Sequence, residues 1–406
     1  MIDDVQLNKL IQPVMDRQTQ IEMFVLRKIA NRLQKIGTLV PSDIKMLEQL
    51  YLTGSDVREI NKELARLSNL QERDIKKIIY TVAEDNYKDA KPFYDYRMRN
   101  QIPFKQNKTM QAIVDSIGVI TLNRFKNISN TTALAFIWYD LISGAVTEVL
   151  SIEQAYKKAV DLGIQSVVTG ITDYASAFRR ILSNLVRSGI NTVVYESDKG
   201  RITHQRLDTA VRRNLLDGIR QVNQEIQNAI GKEIGADGVE LSVHLMSAPD
   251  HEPIQGHQFT LEEYDKCQNQ QDFQDVNGIM FPAMQRPIGW WNCRHFAFNI
   301  IVGVNKPTYS PKQLQEMMDK NAEGYTYTDN QGVEHHLSLY ECSQRQRQME
   351  LGIRKARELK ELVKDSDNQD LKDKYSKLLN SRINNYTAFS NACGLKPQYM
   401  RTKVIF

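Results

Sequence analysis

Residues 191–246 read NTVVYESDKGRITHQRLDTAVRRNLLDGIRQVNQEIQNAIGKEIGADGVELSVHLM, and the change of texture along them decides the fold. Asn191 to Ser197 is β-branched and aromatic, and Asp198-Lys199-Gly200 suits a turn, so a short strand is expected there. From Gln205 to Ile234 the apolar residues Leu207, Val211, Leu215 and Ile219 recur every fourth position, which places them on one face of a helix closed by Gly235 and Gly238. ELSVHLM (Glu240 to Met246) reads as a second strand and FAFNIIVGV (Phe296 to Val304) as a third. Strand, helix, then strands imply a compact α+β domain over 190–310.

Upstream, residues 1–189 have helical periodicity, with Ile21, Val25, Ile29 and Leu33 on one face. Ser42 and Ser55 are expected N-caps of short helices, because each sets a side-chain oxygen near the unsatisfied amides of a first turn. Asn69–Tyr96, Lys105–Phe125, Ile152–Leu162 and Ile171–Val186 are further helical segments. The apolar stretch ALAFIWYDLISGAVTEVL (Ala133 to Leu150) is broken by Asp140, Ser143 and Glu148, so it falls short of a membrane span and is expected to form a buried helix. Downstream, over 311–406, Ser310-Pro311 marks a helix start, Asp329 to Gly332 the turn of a hairpin within Tyr325–Leu337, and Glu341–Val363 and Asp367–Ala392 two long helices ended by Gly394 and Pro397. The expected class is therefore α+β and predominantly helical, with an extended helical N-terminal half, a small α+β central domain and C-terminal helices.

A chain of 406 residues with 41% hydrophobic and 25% charged residues has the composition of a globular protein of more than one domain. A net charge of +4 is too small to identify a nucleic-acid binder, so local basic clusters must decide. Cys267, Cys293, Cys342 and Cys393 lack the dense spacing of secreted disulfide frameworks and are read as reduced thiols of a cytosolic product. The acidic start MIDDVQ, with no apolar segment behind it, does not read as a signal peptide, and no membrane partner is expected.

Functional chemistry concentrates in HLMSAPDHEPIQGHQF (244–259) and MFPAMQRPIGWWNCRHFAF (280–298), which hold four of the chain's 7 histidines. His251, His257, Cys293 and His295 are candidate metal ligands, although Cys293 and His295 are closer together than the usual zinc pairs; no cofactor is expected. His244, His251 and His295 with Arg294 could instead supply acid–base and phosphate-stabilising groups for a nuclease or transferase. The alternative is a braced loop. In it Asn292 and Asp250 bond neighbouring amides, Pro282 and Pro287 stiffen the chain, Trp290 and Trp291 anchor it, and Arg294 ties two segments together. Further on, the helix from Gln344 to Lys364 buries Met349, Ile353, Ala356, Leu359 or Val363. Arg345, Arg347, Arg354, Lys355 and Arg357 are left for a solvated face, for DNA or for an acidic partner.

These residues also carry a resemblance. His244, Pro249-Asp250-His251, Gln255-Gly256 and Asn292-Cys293-Arg294-His295, in that order, resemble the motifs of the phage minor capsid protein type 2 family, related to head-morphogenesis proteins that accompany portals in tailed phages. Gly303-Val304, Pro307-Thr308-Tyr309, Gln344 to Arg347, Ile353-Arg354, Gly394-Leu395 and Arg401 continue it, and Gly200-Arg201 and Arg212 fit upstream. The family commonly has Arg before the Pro-x-His step, where this chain has Ala248. The resemblance implies a minor head protein of the virion, present in host cytoplasm during assembly. It implies portal and major capsid proteins as partners with packaged DNA as a further candidate, and a structural rather than enzymatic role in which Pro249, Gln255, Gly256, Asn292 and Cys293 are motif residues of a structural domain. A non-catalytic DNA-binding module is the remaining alternative.

Overall fold

A computed structural model describes residues 4–39, 54–140, 143–169, 173–196, 202–275, 278–284, 286–289, 293, 295–328 and 332–406. Two long helices set its frame: α1 (Asp4–Gly37) and α2 (Gly54–Asp89). The expected stripe of α1, Ile21, Val25, Ile29 and Leu33, is buried, and α2 faces it with Ile60, Leu64, Ile75 and Val82. The short helix expected after Ser55 is instead the first part of the 36-residue α2. No Gly or Pro falls between Ser55 and Asp89 to interrupt it, so propagation is cheap once the apolar face is packed. The helix expected after Ser42 lies outside the described residues.

A short α3 (Lys91–Tyr96) and α4 (Lys108–Ile128) follow, the latter capped by the Asn107 side chain on the amide of Met110. Residues 133–150 then depart from expectation. They form a hairpin of β1 (Ala135–Tyr139) and β2 (Val146–Ser151), not a buried helix. Asp140 and Ser143, which looked like interruptions of a helix, make the turn: the Asp140 carboxylate accepts the Ser143 amide at 2.6 Å, and Gly144 takes φ +72°. Phe136 and Trp138 are buried and Ile137 and Tyr139 only partly so, the two-residue period of a strand with one face on the core.

After α5 (Ile152–Thr169) and α6 (Tyr174–Ser188), β3 (Asn191–Glu196) and β4 (Ile202–Arg206) complete an antiparallel sheet of order β2-β1-β3-β4. The expected strand at 191–197 is present, whereas β4 was not foreseen. Its ladder claims Gln205 and Arg206, so the next helix, α7 (Leu207–Ile234), begins two residues later than its periodicity suggested. The turn expected at Asp198-Lys199-Gly200 lies outside the described residues. The buried face of α7 joins α1, α2, α4, the sheet and later C-terminal residues in one large core.

Beyond Gly235, β5 (Gly238–Leu241) is the centre of a three-stranded antiparallel sheet with β6 (Gln258–Thr260) and β9 (Ala297–Ile300). Both strands expected here are shorter than their apolar runs. At Ser242 the chain leaves the ladder and side chains take over its backbone, as where Gln255 Oε1 accepts the His244 amide at 2.9 Å. Between the strands lie α8 (Leu261–Gln268), opened by a Thr260/Glu263 capping box, and the small pair β7 (Phe273–Gln274) and β8 (Met280–Phe281). Phe259, Phe273 and Phe281 form the aromatic centre of a second, smaller core with Val239, Leu241 and Ile254.

The C-terminal part follows the expected plan, except that the hairpin turn expected at Asp329 to Gly332 lies largely outside the described residues. Ser310 caps α9 (Pro311–Glu323), β10 (Tyr325–Thr328) pairs with β11 (Glu334–Leu337), and α10 (Leu339–Leu362) and α11 (Gln369–Ala392) run side by side to Gly394 at φ +65°. The predominantly helical α+β class holds. A buried ionic network ties the distant parts of the chain. Arg206 donates to both carboxylate oxygens of Glu22 on α1 at 3.0 Å, Arg354 on α10 meets Asp208 at 2.8 Å, and Arg206 reaches Asp208 at 3.4 Å. Among the described residues no helix is long and apolar enough to cross a membrane.

Candidate functional site

The histidine-rich stretch folds into loops hung from the β5 sheet, and these bring residues far apart in sequence onto one sulfur. Cys293 Sγ lies 3.3 Å from His251 Nδ1 and 3.5 Å from His295 Nδ1, and it accepts the His295 amide at 3.4 Å. All three residues are buried, and their ligand-capable atoms lie within 4.8 Å of one another. Cys293 and His295 are two residues apart in sequence, and both side chains meet in the same cluster. His251 comes from the turn that follows Pro249, where its amide bonds Ala248 O at 2.9 Å.

A shell of polar groups orients these rings. His251 Nε2 meets the Arg286 carbonyl at 2.8 Å, and His295 Nε2 meets Gln255 Oε1 at 3.3 Å and Ser247 Oγ at 3.4 Å. His244 packs edge-on against His295 with ring centres 4.9 Å apart. Gly256 turns the chain beside Gln255 at φ +74°, and a Cβ there would meet Leu314 at 2.4 Å, so only glycine fits without displacement.

Electrostatics divide the cluster. Burial pushes the Cys293 thiol up, but its hydrogen bond with His251 prevails and holds it below the usual range. Burial likewise works against a charged His251, yet Cys293 and the Arg286 carbonyl raise it. His295, desolvated and facing His244 and His251, is pushed down to about 2 and stays neutral. The cleft against these groups has a volume of about 60 Å³, room for a few waters rather than a nucleotide, and Tyr340 and Arg347 close its far side.

Two expectations change. Asp250, expected to bond backbone amides, instead holds Arg286 through paired contacts of 2.6 and 2.9 Å. Arg286 thereby makes the segment-to-segment tie expected of Arg294, its planar guanidinium matching the carboxylate. Nothing but its place between Pro282 and Pro287 marked it in the sequence. His257 stands apart from the cysteine and packs on Phe259 and Phe281 with centroid distances of 6.2 and 5.0 Å. Asn292, Arg294, Trp290 and Trp291 lie outside the described residues.

The basic helix also differs from a solvated face. Arg345 is exposed, but Arg354 is bound to Asp208 and Lys355 donates to the Arg187 carbonyl at 2.6 Å. Burial pushes Lys355 down to about 8 and lowers Arg357. A stripe on this helix must pack against both α6 and the Asp208 network, so its charged residues are drawn into pairs. Cations collect elsewhere, in a cavity of about 430 Å³ between α1, α7, α10 and the C-terminal segment. Arg212, Arg213 and Arg220 line it from α7, Arg347 and Arg354 from α10, and Arg401 and Lys403 from the tail, against the carboxylates Asp208 and Glu350. Two of its cations, Arg347 and Arg354, belong to the basic helix singled out in the sequence, whereas those of α7 and the tail join it only through the fold.

No curated protein and no solved structure matches the chain. A family model described as phage minor capsid protein 2 matches residues 2–388, nearly the whole chain and both cores. The chain therefore belongs to the phage minor capsid protein 2 family, the structural proteins of the phage particle.

Proposed function

We propose that the protein is a minor head component of a tailed phage that associates with portal or major capsid subunits and holds packaged DNA against its basic cavity. The observation that carries the DNA part is the ring of arginines from α7, α10 and the tail around about 430 Å³ of open space. Such a concave cationic surface lowers the energy of a phosphate backbone by counterion release, without reading its sequence. Residues 1–234 and the long C-terminal helices supply a stiff frame for protein contacts, and residues 238–300 carry the motif cluster around the second, smaller core.

The alternative of a nuclease or transferase using His244, His251 and His295 has less support. The three histidines do converge, but His251 and His295 are buried around Cys293 and the cleft beside them has a volume of only about 60 Å³. A cryo-EM map of the intact particle tests the location: density for paired long helices beside the portal is expected, and its absence from the whole head interior contradicts the proposal. Duplex DNA binding tests the cavity. Affinity should fall steeply with salt, and the slope should flatten by roughly one in Arg213→Ala or in Lys403→Ala, since each removes a single cation from the phosphate-binding surface. Salt-independent binding contradicts it.

A further inference from the structure

The Cys293 cluster holds more inward-facing lone pairs than it has hydrogens to fill them. A carbonyl oxygen only accepts, so His251 Nε2, 2.8 Å from the Arg286 carbonyl, carries that ring's hydrogen and donates it. In the neutral ring, Nδ1 then points a lone pair at Cys293 Sγ from 3.3 Å. His295 repeats the pattern. Gln255 Oε1 already accepts the His244 amide, which fixes it as the amide oxygen, and His295 Nε2 faces it at 3.3 Å. That leaves His295 Nδ1 with a lone pair 3.5 Å from the same sulfur. One thiol hydrogen serves one ring, not two, while the His295 backbone N–H points at the sulfur as well.

We propose that His251 Nδ1, His295 Nδ1 and Cys293 Sγ are the three protein ligands of a zinc-class divalent metal ion, with a fourth position open to the adjoining cleft. In a tetrahedral zinc site sulfur and nitrogen ligands stand about 3.5 Å apart. The two sulfur–nitrogen separations here, 3.3 and 3.5 Å, match that, and all three ligand atoms lie within 4.8 Å of one another. Each ring's outer nitrogen is held by a carbonyl or amide oxygen, the arrangement that fixes the tautomer of metal-bound histidine. Asp250, clamped by Arg286, lies 3.6 Å from His251 Nε2 and reinforces that orientation. The donor set of two imidazoles and a thiolate suits zinc rather than magnesium or calcium.

The close spacing of Cys293 and His295, which argued against a zinc knuckle, is what lets both face His251. His257, packed on Phe259 and Phe281, is left out of the proposed ligand set. The ion would cross-link the 244–256 loop to the 293–297 segment, stabilising a unit whose apolar core is small. This inference stands independently of where the protein sits in the particle.

The test is metal analysis of the full-length chain purified from zinc-supplemented cells. About one zinc per chain is expected, retained in His257→Gln and lost in Cys293→Ser and His251→Ala. Because these variants could misfold, the wild-type chain, stripped of metal, is also titrated with Co²⁺. Tetrahedral visible bands and a thiolate-to-cobalt charge-transfer band should saturate at about one equivalent. Gln255→Leu should keep the band but weaken binding roughly 10–100-fold. Zinc in fewer than about one chain in ten, an octahedral cobalt spectrum without the thiolate band, or zinc retained in folded Cys293→Ser would overturn the proposal.

Discussion

The helical frame and the loop-built unit after β5 are held together by different physics. In the frame, long helices bury continuous stripes, and a core running from Ile11 to Val404 makes each side chain one among dozens. In the unit, a handful of buried apolar residues around three phenylalanines supports loops whose shape depends on polar cross-links: Gln255 to His244, Asp250 to Arg286, and the rings around Cys293. The first arrangement tolerates change at exposed polar positions but neither cavities nor the loss of its buried ion pairs. The second tolerates little loss of a cross-link.

The largest effects are expected in the frame. Phe136 is fully buried, so Phe136→Ala should lower stability by about 3–5 kcal/mol through lost transfer energy and the cavity left behind. Arg206→Ala should fall in the same range, about 3–5 kcal/mol, because it leaves Glu22 buried without its cation and Asp208 with Arg354 alone. Chemical denaturation followed by helix signal checks both. If Arg206→Ala unfolded only the 244–297 segment, the division between the two regions would be wrong.

An intermediate effect is expected in the unit. Arg286→Ala removes the clamp on Asp250 and should cost about 1–3 kcal/mol, confined to the loops. Hydrogen exchange should then accelerate in 244–256 and 286–297 while α1 and α2 keep their protection. Uniform loss of protection would show that the unit and the frame unfold as one.

A pH-dependent effect belongs to Glu358. Burial, with Glu22 nearby, pushes its carboxyl from 4.5 up to about 8 despite Arg206 and Arg354. The folded protein therefore holds this proton more tightly than the unfolded chain, so the associated stability is present below about pH 4.5 and is lost as pH rises through about 8. Glu358→Gln should flatten that decline, and melting temperatures of the two proteins compared across this window provide the check. Parallel curves would contradict the assignment. The smallest effect is expected at exposed Arg345, where Arg345→Ala should change stability by less than about 0.5 kcal/mol.

The two regions were also unequally legible in sequence. The four-residue period of α1 and α7, the Ser310-Pro311 start of α9 and Gly394 after α11 are local signals, and each marked its element. The hairpin at 135–151 was misread because Asp140 and Ser143 interrupt a helix pattern and make a turn equally well; only pairing with β3 decides between the two. In the unit, His251, Cys293 and His295 were recognisable as chemistry, but their meeting depends on loops closed by Gln255 and Arg286 from elsewhere in the chain. The basic cavity was only partly legible for the same reason: the cationic helix supplies Arg347 and Arg354, but the arginines of α7 and the tail meet them only in the folded chain.

The central claim, that this chain is a structural part of the phage head, is tested most directly by quantitative mass spectrometry of gradient-purified particles. The account predicts the protein in mature heads at a fixed ratio well below that of the major capsid protein. Abundant protein in infected cells with none in purified particles would contradict it.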